Sequence, residues 1–228
     1  MRRFAFITLS LAALAGVVLL NLNRPQKVPV KVEPSSAAAF DRWLANSHQR
    51  DDNGTAAQFA EFGLYLERQG VSGVVPNWQL WRVDAHYAAR CGVEFFTAPP
   101  EQLWREIVPT LRLLRDQVIP VTGPVEAVSG FRTSEINACV NGASASRHLT
   151  YSALDLTAVQ MTERRDLFAD LCRLHQRVGW ETAMGLGTYF DPKDLDRGKA
   201  GRFHIDAAGY RTWGFDYSNK SSPCPELI

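Results

Sequence analysis

The sequence predicts an α+β fold with a small antiparallel sheet flanked by helices, preceded by a helical segment and an N-terminal transmembrane helix. Three observations carry this. Apolar residues recur at helical spacing across residues 37–120. Beyond that the texture changes to short alternating stretches bounded by glycine, with one amphipathic helix among them. Helices first and strands afterwards argue for α+β rather than a doubly wound parallel sheet. The third observation is the start of the chain, where two arginines precede an uncharged, largely apolar run from Phe4 to Leu22.

At a helical rise of about 1.5 Å per residue that run comes close to spanning a bilayer core. A cleaved signal has a shorter apolar region followed by a small-residue site. Ala13-Leu14-Ala15 offers such a site, but apolar sequence continues through Leu20, so an uncleaved signal anchor fits better. Arg2 and Arg3 keep the cytoplasmic side and export the rest. Residues 1–22 read as the anchor and the Pro-, Lys- and Ser-rich residues 23–36 as an extended tether. The expected location is the inner membrane, single-pass, with the folded part in the periplasm or outside the cell. Lys plus Arg number 25 against 24 Asp plus Glu, without the basic excess of a nucleic-acid binder.

Within residues 37–120, "TAAQFAEFGLYLERQG" places Phe59, Phe62 and Leu66 on one face, with Thr55 as N-cap and Gly70 as stop. "NWQLWRVDAHYAARCG" reads as a second helix ending at Gly92. Leu103, Ile107, Leu111, Leu114 and Val118 form a core stripe that Pro109 should kink or divide. In residues 121–216, "GPVEAVSGF", "SALDLTAV", "GLGTYF" and "GRFHIDAAGYRTWGF" read as strands. "TERRDLFADLCRLHQRVGW" reads as a helix with Leu167, Leu171, Leu174 and Val178 inward. Residues 217–228 form a tail.

Cys91, Cys139, Cys172 and Cys224 contain no CxxC pair, which argues against a thiolate zinc site. In an oxidising compartment they suggest one or two disulfides, with three complete pairings open; buried free thiols are the alternative. Of the five histidines, His48, His86 and His175 lack partners at ligand spacing. His148 lies in a Gly- and Ser-rich turn that feeds a strand carrying Asp155, and His204 lies in "RFHID". Two imidazoles and a carboxylate on rigid elements make a three-ligand metal site with an open position. A satisfied core histidine and a capping Asp remain the plain alternative.

"SGFRTSEINACVNGASASRHLTYSALDL" resembles the signature of the zinc D-Ala-D-Ala carboxypeptidase family, which includes murein endopeptidases and vancomycin-resistance D,D-dipeptidases and shares its metal site with hedgehog signalling domains. The family pattern S-G-Y-R-S, then S-x-H-x-x-G-x-A-x-D, then one more His on a later strand, is met here by Ser129, Gly130, Phe131 and Arg132, by Ser146, His148, Ala153 and Asp155, and by His204. "GLGTYF" is similar to its G-x-G-x-Y segment. The resemblance covers roughly residues 121–215. It implies that His148, Asp155 and His204 bind Zn2+, that Arg132 steadies the substrate carbonyl or its developing oxyanion, and that Ser146 lines the substrate site.

Two departures stand out. Tyr151 occupies the family's glycine, so the turn must avoid a glycine-only conformation or carry strain. Gly201 and Arg202 stand three and two residues before His204, where the family places its general base; Glu181, Asp191 and Asp206 are the other candidates, with Asp206 also a potential partner of His204. The resemblance implies a zinc peptidase acting on the peptide stems of peptidoglycan, tethered through its N-terminal helix. The rivals are a non-catalytic zinc-containing peptidoglycan-binding module and an assembly protein whose helical part is the functional one.

Overall fold

A computed structural model describes residues 36–47, 54–160, 163–191, 193 and 201–228. The expected membrane span and residues 23–35 of the tether lie outside them. Among the described residues no helix is long and apolar enough to cross a membrane.

Two helices open the described chain. α1 spans Ala37–Ala45, capped where Ser36 Oγ accepts from Ala39 N at 3.2 Å, and buries Ala39 and Phe40. α2 spans Gly54–Arg68 and buries Phe62 and Leu66, with Gly70 beyond its end at φ 67°. Thr55 therefore lies inside α2 rather than capping it. Trp81 is the hub of an aromatic cluster, with ring centroids of Phe59, Phe62, Trp43 and Phe40 4.9–6.4 Å away.

The expected second helix is two pieces. Asn77–Trp81 is a 3-10 turn, Arg82 bridges to Phe96, and α3 spans only Ala85–Cys91. Asp84 ends the extended stretch by capping α3, its Oδ1 accepting from Tyr87 N at 3.0 Å, which is a better use of Asp than a helix interior. α4 (Trp104–Leu113) then runs through Pro109 without breaking. The division falls later, at a π-turn over Leu114–Val118, before α5 at Ile119–Thr122. Ile107, Leu111, Leu114 and Val118 are fully buried as the stripe predicts, each contributing about 2 kcal/mol.

The strands are β1 (Val125–Ser129), β2 (Ala153–Ala158), β3 (Gly185–Gly187), β4 (Arg202–Asp206) and β5 (Arg211–Trp213), in the spatial order β1-β2-β4-β3-β5. Between them lie α6 (Ser134–Cys139) and α7 (Arg164–Val178), and α8 (Cys224–Leu227) follows. The sheet is mixed, not antiparallel as the sequence suggested. The reversal after β4 sends β5 antiparallel to it, but β5 lands beyond β3, which is itself antiparallel to β4. Skipping one strand makes β5 parallel to β3.

Alternation gives the sheet two unlike faces. Leu154, Leu156, Phe203, Ile205 and Leu186 belong to the buried core, and α4 packs against β2 and β4. The opposite set contains Asp155, Arg202, His204 and Asp206, with Asp155 paired to His204 in register. One core cluster includes residues from both 37–120 and the sheet region. Disulfides Cys91–Cys139 and Cys172–Cys224 join α3 to α6 and α7 to α8. Closing loops of 48 and 52 positions, each stabilises by about 4 kcal/mol in the chain-entropy account.

Candidate metal and catalytic site

His148, Asp155 and His204 are all buried, and each offers a ligand atom within 4.8 Å of the others. The hydrogen bonds around them decide which atoms those are. His148 Nδ1 lies 2.7 Å from the Gly130 carbonyl, which can only accept, so Nδ1 carries the proton. Its Nε2 is then a bare lone pair, buried without a hydrogen-bond partner, 3.4 Å from Asp155 Oδ1. His204 Nε2 lies 2.9 Å from Asp206 Oδ2 and donates to it, which leaves the Nδ1 lone pair 3.2 Å from the same Asp155 Oδ1.

Two lone pairs and a carboxylate oxygen aimed at one another repel unless a cation sits among them. The donor set, two imidazoles and a carboxylate with both outer ring nitrogens anchored, is that of a zinc site. It fits the ion.

Charge follows the same logic. Burial pushes His148 down to about 4, and the Arg132 cation adds to this, so the ring stays neutral. Burial also works against a charged His204, but contacts with Asp155 and Asp206 outweigh it and raise the group. Asp155 is held well below the usual carboxylate range: burial opposes ionisation, and His148, His204 and Arg132 together overcome it.

The backbone explains the placement of His148. Arg132 N donates to the His148 carbonyl at 3.1 Å while His148 Nδ1 donates to the Gly130 carbonyl, so the two loops clasp. Gly130 is needed there because a Cβ would fall 2.3 Å from the Leu80 carbonyl oxygen. Tyr151, at the family's glycine position, does adopt the left-handed region at φ 56°. Its ring is fully buried between Phe62 and Phe131, centroids 6.3 and 6.2 Å away, and that packing holds the strained turn.

Arg132 is 6% exposed, not a solvated turn residue. Its Nη2 bonds Asp155 Oδ2 at 2.7 Å, its guanidinium lies 5.0 Å from the Tyr87 ring centroid, and its Nε is buried without a partner. Ser146 is half-buried and lines the same cleft of about 480 Å³ as His148, His204 and Arg132.

The sequence reading assigned no role to aromatic walls of this cleft such as Tyr87, Tyr189 and Trp213. Tyr189 Oη is 3.5 Å from Asp155 Oδ1, and burial raises its pKa well above the ordinary value. Trp213 stands 5.0 Å from the His204 ring. Tyr189 and Trp213 sit in "GLGTYF" and "YRTW", beside segments already singled out, so proximity to the motif was the available signal. For Tyr87 there was none.

The base candidates fare differently. Asp206 is engaged: it accepts from His204 Nε2, from Ala208 N at 2.9 Å and from Arg211 Nη2 at 2.5 Å. Glu181 is exposed, and Asp191 Oδ1 accepts from Lys193 N at 3.0 Å. Gly201 has φ 67°, a backbone that a carboxylate-bearing residue rarely adopts, and Arg202 pairs with Asp84. Apart from Asp155 beneath its floor, no carboxylate among the described residues borders the cleft. His86 is exposed and His175 is stacked on Tyr210, away from the three ligands; His48 lies outside the described residues.

A comparison with protein families matches residues 88–189 to the family described as Peptidase M15. No curated protein and no solved structure matches the chain. The matched span includes Arg132, Ser146, His148, Asp155 and Tyr189 and stops before His204, which β4 adds from beyond it. Peptidases of this family are zinc-dependent, and the match together with the His-Asp-His group points to a metallopeptidase. The match over residues 88–189 makes this part of the chain similar to the Peptidase M15 family, consistent with the zinc D-Ala-D-Ala carboxypeptidase resemblance.

Proposed function

We propose that the chain is a zinc-dependent peptidase that hydrolyses amide bonds in the stem peptides of peptidoglycan, of the D,D-carboxypeptidase or endopeptidase type. One observation carries this reading: two imidazole lone pairs with fixed tautomers and one carboxylate oxygen meet in the floor of a cleft lined by Arg132, Arg147 and Arg211. Zinc held by His148, Asp155 and His204 would supply Lewis acidity and bring the pKa of water toward ~7.

The remaining work falls to the chain's own groups. Arg132 is fixed through Nη2 on Asp155 and lines the cleft, which sets its guanidinium charge beside an oxygen of the substrate amide. Fixed positive charge there offsets negative charge as it develops. Tyr189, kept protonated by burial, donates to Asp155 and walls the same corner. Ser146, Tyr87 and Trp213 orient the peptide, and the arginines favour an anionic substrate such as a stem ending in a free carboxylate. Residues 1–22 would hold the domain at the inner membrane, facing the wall from the periplasmic or outer side.

A second reading keeps the zinc and the wall but not the chemistry. It is favoured by the absence of a carboxylate along the cleft among the described residues, since a proton must pass from water to the leaving nitrogen. Full-length protein incubated with purified sacculi decides between them. Peptidase activity releases soluble peptide fragments with zinc and none with chelator. No fragments under either condition, with zinc still bound, leaves the non-catalytic wall-binding module.

A further inference from the structure

We propose that Tyr217 is a substrate-binding residue, a ring that the C-terminal tail holds out to flank the peptide beside the cation corner. The inference rests on the metallopeptidase reading and deepens it by naming a residue that grips the substrate. It holds whatever the source of the peptide.

Folding does not call for a tyrosine at this position. The residue is 61% exposed, so its ring adds little buried area to the core. Its φ is 66°, in the left-handed region that glycine and asparagine enter at less cost. Strained residues persist where their surroundings over-determine them, and they cluster at ligand sites.

The surroundings of Tyr217 do this. Tyr217 N donates to the Gly214 carbonyl at 3.2 Å, and Gly214 N donates to the Ser218 carbonyl at 3.3 Å, closing a tight turn. Asp216 Oδ1 accepts from Ser218 N at 2.8 Å and from Ser221 Oγ. Gly214 admits the turn because a Cβ there would overlap the Ser221 carbonyl. Asn219 Nδ2 donates to the Thr212 carbonyl of β5 at 3.1 Å, and Cys224 is joined to Cys172 of α7. A tail given no task in the sequence reading is thus fastened to sheet and helix around one exposed ring.

That ring belongs to the cleft. Tyr217 lines it, as does Asn219 from the same turn. Tyr217 meets Tyr189 with ring centroids 5.6 Å apart and planes 68° apart, and Tyr189 Oη lies 3.5 Å from Asp155 Oδ1. One ring therefore separates Tyr217 from the carboxylate of the cation corner. Gly142, Ala143 and Ala145 also line the cleft, and such small residues leave room for an extended chain. A phenol offers an apolar face to a side chain or amide plane and a hydroxyl to a backbone group. A peptide with its amide at the cation corner would meet Tyr217 through a residue next to that amide.

The test uses the zinc-loaded full-length protein and two probes, a free stem pentapeptide and an all-L pentapeptide of the same sequence. Both hydrolysis and binding are measured for the parent, Tyr217→Asn and Tyr217→Phe. In Tyr217→Asn, KM should rise about tenfold while kcat stays within about twofold, as expected when binding common to ground and transition state is lost. Tyr217→Phe, which keeps the ring, should stay within about threefold of the parent KM. Zinc content should be unchanged, and the melting temperature of Tyr217→Asn should hold or rise, since asparagine tolerates the left-handed backbone. A lower melting temperature or lost zinc in Tyr217→Asn would make the ring a packing residue and overturn the proposal. An unchanged KM, or a parent that binds neither peptide, overturns it as well. If the parent binds a peptide without cutting it, and Tyr217→Asn binds about tenfold more weakly, the peptidase reading falls and Tyr217 stands. If only the all-L peptide is taken, with the same dependence on Tyr217, the peptidoglycan reading falls and Tyr217 again stands.

Discussion

Residues 37–120 and the sheet that follows them give the site different things. The three groups that converge on the cation corner come from the sheet and its loops: His148 from the turn before β2, Asp155 from β2, His204 from β4. The helical residues supply none of them, yet they brace each loop that does. Leu80 packs against Gly130, whose carbonyl fixes the His148 tautomer. Gln79 Oε1 accepts from Ala127 N at 2.9 Å, and Arg82 Nη1 donates to the Ala127 carbonyl at 3.0 Å. Those bonds occupy the open edge of β1, which would otherwise expose unpaired backbone. Thr110 on α4 donates to the Ser152 carbonyl at 2.8 Å and accepts from Ala207 N, stapling the start of β2 to the end of β4. Metal sites depend on such supports as much as on the ligands themselves. The helical residues are a brace for a site that the sheet carries.

Breaking each partner separately sharpens that contrast. The largest effect belongs to the sheet side. His148→Ala should abolish zinc binding, measured by elemental analysis of the purified protein, reduce any peptidase activity by several orders of magnitude and lower the melting temperature. Ions that order two strands couple binding to folding. Equal metal content in variant and parent would remove His148 from the ligand set.

Next comes the brace. Asp84→Ala leaves the Arg202 guanidinium with side-chain exposure of 12% and without its carboxylate partner. Losing one member of a buried ion pair costs about 3 kcal/mol. Denaturant unfolding should register that loss while the folded protein still binds zinc, and the double variant Asp84→Ala, Arg202→Met should recover most of it. Loss of zinc from the folded single variant would mean that Asp84 does more than brace.

The smallest effect comes from α7, which carries no ligand. Burial pushes His175 below its usual pKa, with backbone contacts at Met184 and Arg211 opposing. Its folded pKa lies below its unfolded value of about 6.5, so the unfolded chain takes up the proton first. Stability from the neutral ring is complete above that value and is lost as pH falls beneath it. His175→Phe, which keeps a ring under Tyr210, should flatten the fall in melting temperature between pH 7.5 and 5.5. An unchanged slope would place that pH dependence elsewhere.

Much of the sheet side was legible because its signals are local. Alternation gave β1, β2 and β4, while spacing left His148, Asp155 and His204 open and the family resemblance singled them out as the residues the fold brings together. The brace was not legible, because its partners are far apart in the chain: Gln79 and Ala127 are separated by 48 positions, Thr110 and Ala207 by 97. No local pattern marks a glutamine or threonine for such a task. α6 escaped notice for another reason, since six residues are too few to show helical periodicity. The continuous helix expected over residues 77–92 failed because Asp84 is a better cap than an interior residue. The parallel pairing of β5 depends on which strand its turn passes over, and periodicity carries no such information.

The contact between Arg202 and Asp84 joins groups 118 positions apart, and Asp155 meets His204 across 49. Contacts of that range carry the cost of closing the long loops between them. Zinc held by His148, Asp155 and His204 would need both segments in place. A chain halted before β4 docks would hold His148 and Asp155 with no third ligand and a helical layer with no strand to brace. A cation there would act as a final inspection, retained only by molecules in which both regions have met.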